Sequence, residues 1–166
     1  MSLSMFEITV PGFVRSFQAM NTWFDKAQAH ADDRNFDSSN YLGLRLAPDM
    51  LPLTKQVQIA TDMAKGCVAR LAGHDVPKWD DSEATLAELR ARVLKLVDYV
   101  HSVPAELIDG SEAREIVLPM RSGEQRMSGQ AYVLGFVLPN VYFHATTTYA
   151  LLRHAGVEVG KRDFLG

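Results

Sequence analysis

The stretch SEATLAELRARVLKLVDYV (residues 82–100) carries the clearest helical pattern in the chain. Its apolar residues recur every three or four positions, at Leu86, Leu89, Val93, Leu96, Val97 and Val100. This spacing places them on one side of a helix, and that side must be buried against other helices. We predict a helix that is capped by Ser82, with Thr85 following, and that ends near Pro104.

Two earlier segments show the same periodicity. The first begins at Pro11, a residue that suits the first turn of a helix because its missing N–H has no partner there. Its apolar stripe consists of Val10, Phe13, Val14, Phe17, Met20, Phe24 and Ala27. The second is predicted to run from about Pro52 to Ala72 and to stop at Gly73, a typical C-terminal glycine.

The last long segment is predicted to be a helix from Ser128 or Gly129 to about His154. It is apolar on most sides, so we expect the bundle and a second subunit to bury it. Pro139 is predicted to kink this helix. Because Trp23 and Phe24 on the first helix also look exposed, we predict a homodimer.

Two connections break the helical pattern. Residues 35–51 contain Gly43 and Pro48 and favour a packed loop with a helical turn. Residues 114–128 favour a small β-hairpin that turns at residues 121–124, with an irregular loop as the alternative. The predicted fold is therefore all-α: a four-helix bundle with a long connection between helices 1 and 2 and a β-hairpin before the last helix.

The bulk composition fits one domain of ordinary globular character. The chain has 166 residues, of which 47% are hydrophobic, and a formal net charge of −3. Acidic and basic residues are interspersed, so we expect no nucleic-acid partner. No run approaches the length of a membrane-spanning helix, so we expect no membrane partner.

Cysteine content and the N-terminus bear on location. Cys67 is the single cysteine, so the chain has no internal disulfide that would favour an oxidising compartment. The first residues lack the features of a signal peptide, and we expect a cytoplasmic protein. A second methionine, Met5, suggests that residues 1–4 are a cloning remnant and that the domain spans 5–166.

Four polar residues fall where the helical pattern calls for apolar ones. Gln58 and Asp62 are four positions apart on the second helix, and Asn140 and His144 are four apart on the last. Each pair shares a helix face, so we predict that the four converge in a polar pocket. One interpretation is a metal site centred on His144 with Asp62 or the amides, and the other is a buried hydrogen-bond network or water-filled pocket.

Several motifs resemble a bacterial domain family of unknown function that belongs with the DinB/YfiT-like metalloenzymes. The matching stretches are Leu46–Met50, Gln56–Ala60, Leu138–His144 and Gly160–Gly166. The resemblance implies a DinB-type bundle, often a homodimer, whose superfamily binds a divalent metal through three histidines. It places those ligands at Gln58, Asn140 and His144, so only one is a histidine here.

Two functional hypotheses follow from the resemblance. In the first, the metal site is degenerate, no cofactor is expected, and the protein binds an unknown small molecule in the bundle cleft. In the second, His144 and Asp62 hold zinc or nickel with reassigned ligands, and the protein is a divalent-metal-dependent enzyme such as a thiol transferase.

Overall fold

The computed structural model describes residues 3–120 and 123–166 of the chain. Four long helices form a bundle, which confirms the predicted fold class. They are α1 (Val10–Asp33), α2 (Leu53–Ala72), α3 (Leu86–Ser102) and a last helix made of α5 (Gly129–Tyr132), a π turn (Val133–Val137) and α6 (Leu138–His154). α1 packs mainly against α3, and α2 mainly against α6. The apolar stripes predicted from the sequence meet in one core.

Shorter elements lie between and after these helices. They are a 3₁₀ turn (Ser38–Tyr41), α4 (Ala105–Ile108), the strands β1 (Glu115–Met120) and β2 (Gly123–Ser128), and α7 (Lys161–Leu165). The 3₁₀ turn confirms the helical turn predicted in the long connection. β1 and β2 pair antiparallel with Glu115 opposite Ser128, which confirms the hairpin. Of the predicted turn, Arg121 and Ser122 lie outside the described residues, while Gly123 and Glu124 belong to β2.

The ends of two helices show what their sequences specify. Gly73 ends α2 in the left-handed conformation, with φ of 73°, as predicted. The predicted cap of α3 at Ser82 is wrong, because Thr85 occupies that position. The Thr85 hydroxyl accepts a hydrogen bond from the Glu88 N–H at 3.2 Å, and the Glu88 carboxylate accepts one from the Thr85 N–H at 3.0 Å. This reciprocal cap needs an acidic side chain three residues after the capping residue, and no acidic residue lies three positions after Ser82.

The last helix changes its hydrogen-bonding pattern in the middle. Residues Val133–Val137 form a π turn, and Pro139 follows in the first turn of α6. Proline has no N–H to donate to the carbonyl four residues earlier, so a regular α-helical ladder cannot pass through this point. The sequence predicts a kink at Pro139, and the structure has a π turn immediately before it.

The aromatic residues of α1 are part of the core. Trp23 and Phe24 are 0% and 1% exposed, so the prediction that they lie on the surface is wrong. α7 folds back over α1, and the Phe164 ring stacks on Trp23 with ring centres 5.5 Å apart. The helical periodicity of α1 alone could not reveal this cover, because it comes from the other end of the chain.

The last helix, in contrast, keeps large apolar side chains on the surface. Leu134, Tyr142 and Phe143 are 49%, 41% and 56% exposed. Within residues 3–120 and 123–166, every helix is too short or too polar to cross a bilayer.

Candidate functional site

Gln58 and Asp62 both face α3 and the linker that precedes it. The Gln58 amide donates from Nε2 to Glu83 Oε2 at 2.7 Å. The Asp62 carboxylate accepts hydrogen bonds at Oδ1 from Lys65 at 2.7 Å and from Arg92 at 3.0 Å. These two predicted site residues therefore belong to an ionic network between α2 and α3.

Arg92 is the centre of that network and is only 4% exposed. Its guanidinium also donates to the Thr61 hydroxyl at 2.8 Å, to the Asp80 carbonyl at 3.0 Å and to the Glu83 carboxylate at 2.9 Å. A buried arginine needs such partners for its N–H groups and its charge. The network consequently holds the linker of residues 73–85 against the bundle.

Glu83 shows how the network acts on an acid. Burial alone would raise the pKa of Glu83, because a charged carboxylate is less stable away from water. Hydrogen bonds from Gln58 and Arg92, together with the positive charge of Arg92, outweigh burial and hold the pKa below its usual value. Glu83 is therefore ionised and part of the stable fold at neutral pH.

His144 lies on the opposite side of the α2 helix from this network. It is 8% exposed, and its Nδ1 atom is 2.6 Å from Oε1 of Gln56, a residue that is 2% exposed. The Gln56 amide also donates from Nε2 to the Leu51 carbonyl at 3.0 Å. Burial lowers the pKa of His144, so the imidazole is neutral at neutral pH.

Asn140 is one turn before His144 on α6 and is half-buried. Its amide donates from Nδ2 to the carbonyl of Phe136, four residues earlier, at 2.7 Å. The side chain thus supplies a hydrogen bond to its own helix, next to the π turn where the regular ladder is interrupted.

The structure does not join the four predicted residues in one hydrogen-bonded cluster. Gln58 and Asp62 bond to the α3 network, Asn140 bonds to its own helix, and His144 bonds to Gln56. Helical geometry explains the division, because residues two positions apart, such as Gln56 and Gln58, point about 200° apart. The helix-two residue that contacts His144 is therefore Gln56, whereas Gln58 contacts Glu83.

The donor groups present do not fit a three-histidine metal site. Zinc and nickel favour imidazole, thiolate and carboxylate ligands, whereas neutral amides bind them weakly. His144 offers one imidazole, and the Asp62 carboxylate is paired with Lys65 and Arg92. Across residues 3–120 and 123–166, no three His, Cys, Asp or Glu side chains are grouped so that they could hold a metal ion.

Cys67 does not contribute a reactive thiol to this region. It is fully buried, and burial raises its pKa well above the usual range. A thiol in this state is protonated and packs as a small apolar side chain.

Gln56 and Arg92 are the two important residues that sequence reasoning missed. Arg92 directly precedes Val93 within the apolar stripe of the third helix, and such an interruption signals a buried, paired charge. Gln56 gives a weaker signal, because an amide near a helix start is common on protein surfaces.

The bundle, with its polar positions on the second and last long helices, defines a protein of the DinB type. The crystal structure of a DinB family member from Shewanella denitrificans, at 1.83 Å resolution, is similar to this chain with a TM-score of 0.90 and 42% sequence identity. The similarity covers 97% of this chain and 91% of that one.

The chain belongs to the DUF1993 family, a domain family of unknown function, and residues 5–165 match it. No curated protein matches the chain. The family therefore establishes the kind of domain and leaves its activity open.

Proposed function

We propose that this protein is a DinB-type binding protein whose ancestral metal position is degenerate, and that it takes a small molecule between α2 and α6. The observation that carries the proposal is the buried contact between His144 Nδ1 and Gln56 Oε1 at 2.6 Å. The one imidazole of the site contacts a neutral amide. A three-histidine metal site would have further imidazoles at such positions.

The state of His144 supports a binding role. A neutral imidazole that uses one nitrogen to hold its orientation still has the other nitrogen for a ligand. The Asp62 carboxylate is paired with Lys65 and Arg92 on another side of α2. The site therefore offers directional hydrogen bonding with little charge, which suits a small polar or amphipathic ligand.

We also propose that the protein forms a homodimer through the last helix. Leu134 and Tyr142, which are 49% and 41% exposed, lie on this helix, and residues 131–152 contain no Asp, Glu, Lys or Arg. An exposed helix face without charges is typical of surfaces that another protein covers. A second copy of the same face meets this requirement symmetrically.

Metal analysis of protein purified without a histidine tag tests the binding-protein proposal. We expect less than about 0.1 equivalent of zinc or nickel, and no rise in melting temperature when either ion is added, since a stabilising ligand must bind the native state. His154→Ala is the matched control for His144→Ala, because His154 is exposed near the end of α6.

The opposite result would favour a divalent-metal-dependent enzyme with reassigned ligands. One equivalent of metal in the wild-type protein, retained in His154→Ala and lost in His144→Ala, would overturn the proposal.

A further inference from the structure

The hydrogen bonds of Gln56 fix which nitrogen of His144 carries the proton. The Gln56 Nε2 group donates to the Leu51 carbonyl at 3.0 Å, so the other amide atom, Oε1, faces the imidazole. A flipped amide would place its oxygen against the Leu51 carbonyl oxygen, and two acceptors repel each other. Since Oε1 can only accept, His144 Nδ1 must be the donor in the 2.6 Å contact.

The proton on Nδ1 determines the chemistry of the other ring nitrogen. His144 is buried, and its hydrogen-bond partner is the neutral Gln56 amide, so the ring is uncharged and has one N–H. Nε2 of His144 therefore presents a lone pair and acts as an acceptor. Within the described part of the chain Nε2 has no hydrogen-bond partner, and it is not among the unpartnered atoms that are sealed from solvent there. A ligand atom that carries a hydrogen can therefore approach it.

Apolar side chains flank the two residues of this contact. Leu51, whose carbonyl accepts the hydrogen bond from Gln56, is 46% exposed. Phe143 is 56% exposed and meets the His144 ring edge-on, with ring centres 5.1 Å apart and planes at 87°. The imidazole ring thus has exposed apolar surface beside it.

We propose that the His144 site binds small amphipathic molecules whose head is an uncharged hydrogen-bond donor, such as a hydroxyl group, and whose body is apolar. The inference rests on the proposed function, because it names the class of ligand for that site. Gln56 is a positioning residue: it fixes the ring through Nδ1 and thereby makes Nε2 the acceptor. Anions are disfavoured because a neutral ring that presents a lone pair repels them, and carbonyl groups lack the hydrogen that Nε2 requires.

A pair of isomeric probes tests the donor requirement. 1-Pentanol and butyl methyl ether have the same atoms and similar apolar bodies, but only the alcohol can donate a hydrogen bond. Both are titrated into metal-free, full-length protein, and the ¹⁵N resonances of the His144 ring are followed. We expect 1-pentanol to shift the Nε2 resonance and to bind about tenfold more tightly than the ether, the ratio typical of one hydrogen bond.

Three results would overturn the inference. They are equal binding of the two probes, a neutral His144 that carries its proton on Nε2, and no binding of either probe up to its solubility limit. In Gln56→Ala we expect a mixture of ring tautomers and weaker alcohol binding, while His154→Ala should bind as the wild type does. Metal analysis judges the proposed function separately, since a protein free of metal can still fail the probe test.

Discussion

Arg92 is the side chain on which the linker between α2 and α3 depends. Its guanidinium contacts Asp62 and Glu83, whose side chains are 38% and 11% exposed, while that of Arg92 is 3% exposed. When one partner of a buried ionic network is removed, the remaining charges lie partly buried and unpaired. The stability of the folded protein therefore depends on a few polar contacts as well as on the apolar core.

Replacing Arg92 with methionine should therefore lower the free energy of unfolding by about 3 kcal/mol, measured by urea denaturation. The matched control is Arg90→Met on the same helix. Arg90 pairs with Asp25, but both side chains are about half exposed, at 47% and 53%. The control should lose less than about 1 kcal/mol. Equal losses in the two variants would show that the buried network has no special role.

Glu83 predicts how stability depends on pH. Its pKa is lower in the folded protein than in the unfolded chain, so the unfolded chain takes up a proton first as the pH falls. The contribution of Glu83 to stability is therefore present at neutral pH and is lost as the pH falls from about 5 through its folded pKa. In urea titrations, the free energy of unfolding of Glu83→Gln should fall less than that of the wild type as the pH is lowered from about 6 to about 3. Equal falls in the free energy of unfolding of the two proteins would contradict the lowered pKa of Glu83.

At the scale of elements, α7 acts as a cover for α1. The Trp23 indole donates from Nε1 to the Asp163 carbonyl at 2.9 Å, and the Asp163 carboxylate pairs with Lys26 at 2.6 Å. Together with the stacked ring of Phe164, these contacts attach the C-terminal segment to the middle of α1. A five-residue helix has little stability alone, so these contacts must hold it in place.

Phe164→Ala should remove most of this cover. In a Trp79→Phe background, where Trp23 is the only tryptophan, we expect its fluorescence to shift to the red. The free energy of unfolding should fall by about 2 kcal/mol, less than for a fully buried phenylalanine. Leu165→Ala is the control, because Leu165 is 55% exposed, and it should leave the emission unchanged. An unshifted spectrum in Phe164→Ala would show that α7 does not cover Trp23.

The elements themselves were largely predictable, because their signals are local. Periodicity located the four long helices, and Gly73 and Pro11 marked two of their ends. The cap of α3 was misplaced by three residues, since serine and threonine both suit a cap and the distinguishing signal is Glu88, three positions after Thr85. Pro139 marked the interruption of the last helix but did not specify its π form, and the position of α7 depends on tertiary packing that no local pattern encodes.

For the whole molecule, the exposed face of the last helix predicts a dimer. We expect light scattering at micromolar concentration to give twice the mass of one chain. The double variant Leu134→Lys and Tyr142→Lys should be monomeric, because charges on an apolar interface oppose its burial. Leu107→Lys is the control, as Leu107 is 41% exposed and belongs to α4 and not to the last helix. A wild-type monomer, or a dimer that survives the double variant, would contradict the proposal. Phe143 is left unchanged so that the His144 site stays intact.

The candidate site was less predictable than the fold, because it depends on the rotation of each helix. The four-residue spacing put Gln58 with Asp62 and Asn140 with His144 on shared faces, but it could not show which faces meet. α2 is buried on several sides, so its apolar pattern does not single out one direction. Polar residues two positions apart consequently serve different neighbours, Gln56 towards His144 and Gln58 towards Glu83.

Zinc binding by two engineered variants tests most directly whether Gln56 is the helix-two residue at the proposed metal position opposite His144. Gln56→His combined with Asn140→His should gain zinc binding in a calorimetric titration at neutral pH, because α2 and α6 would then offer three imidazoles. Gln58→His combined with Asn140→His should show none, because that position faces Glu83 and Arg92. Zinc binding by the second variant and not by the first would contradict the account.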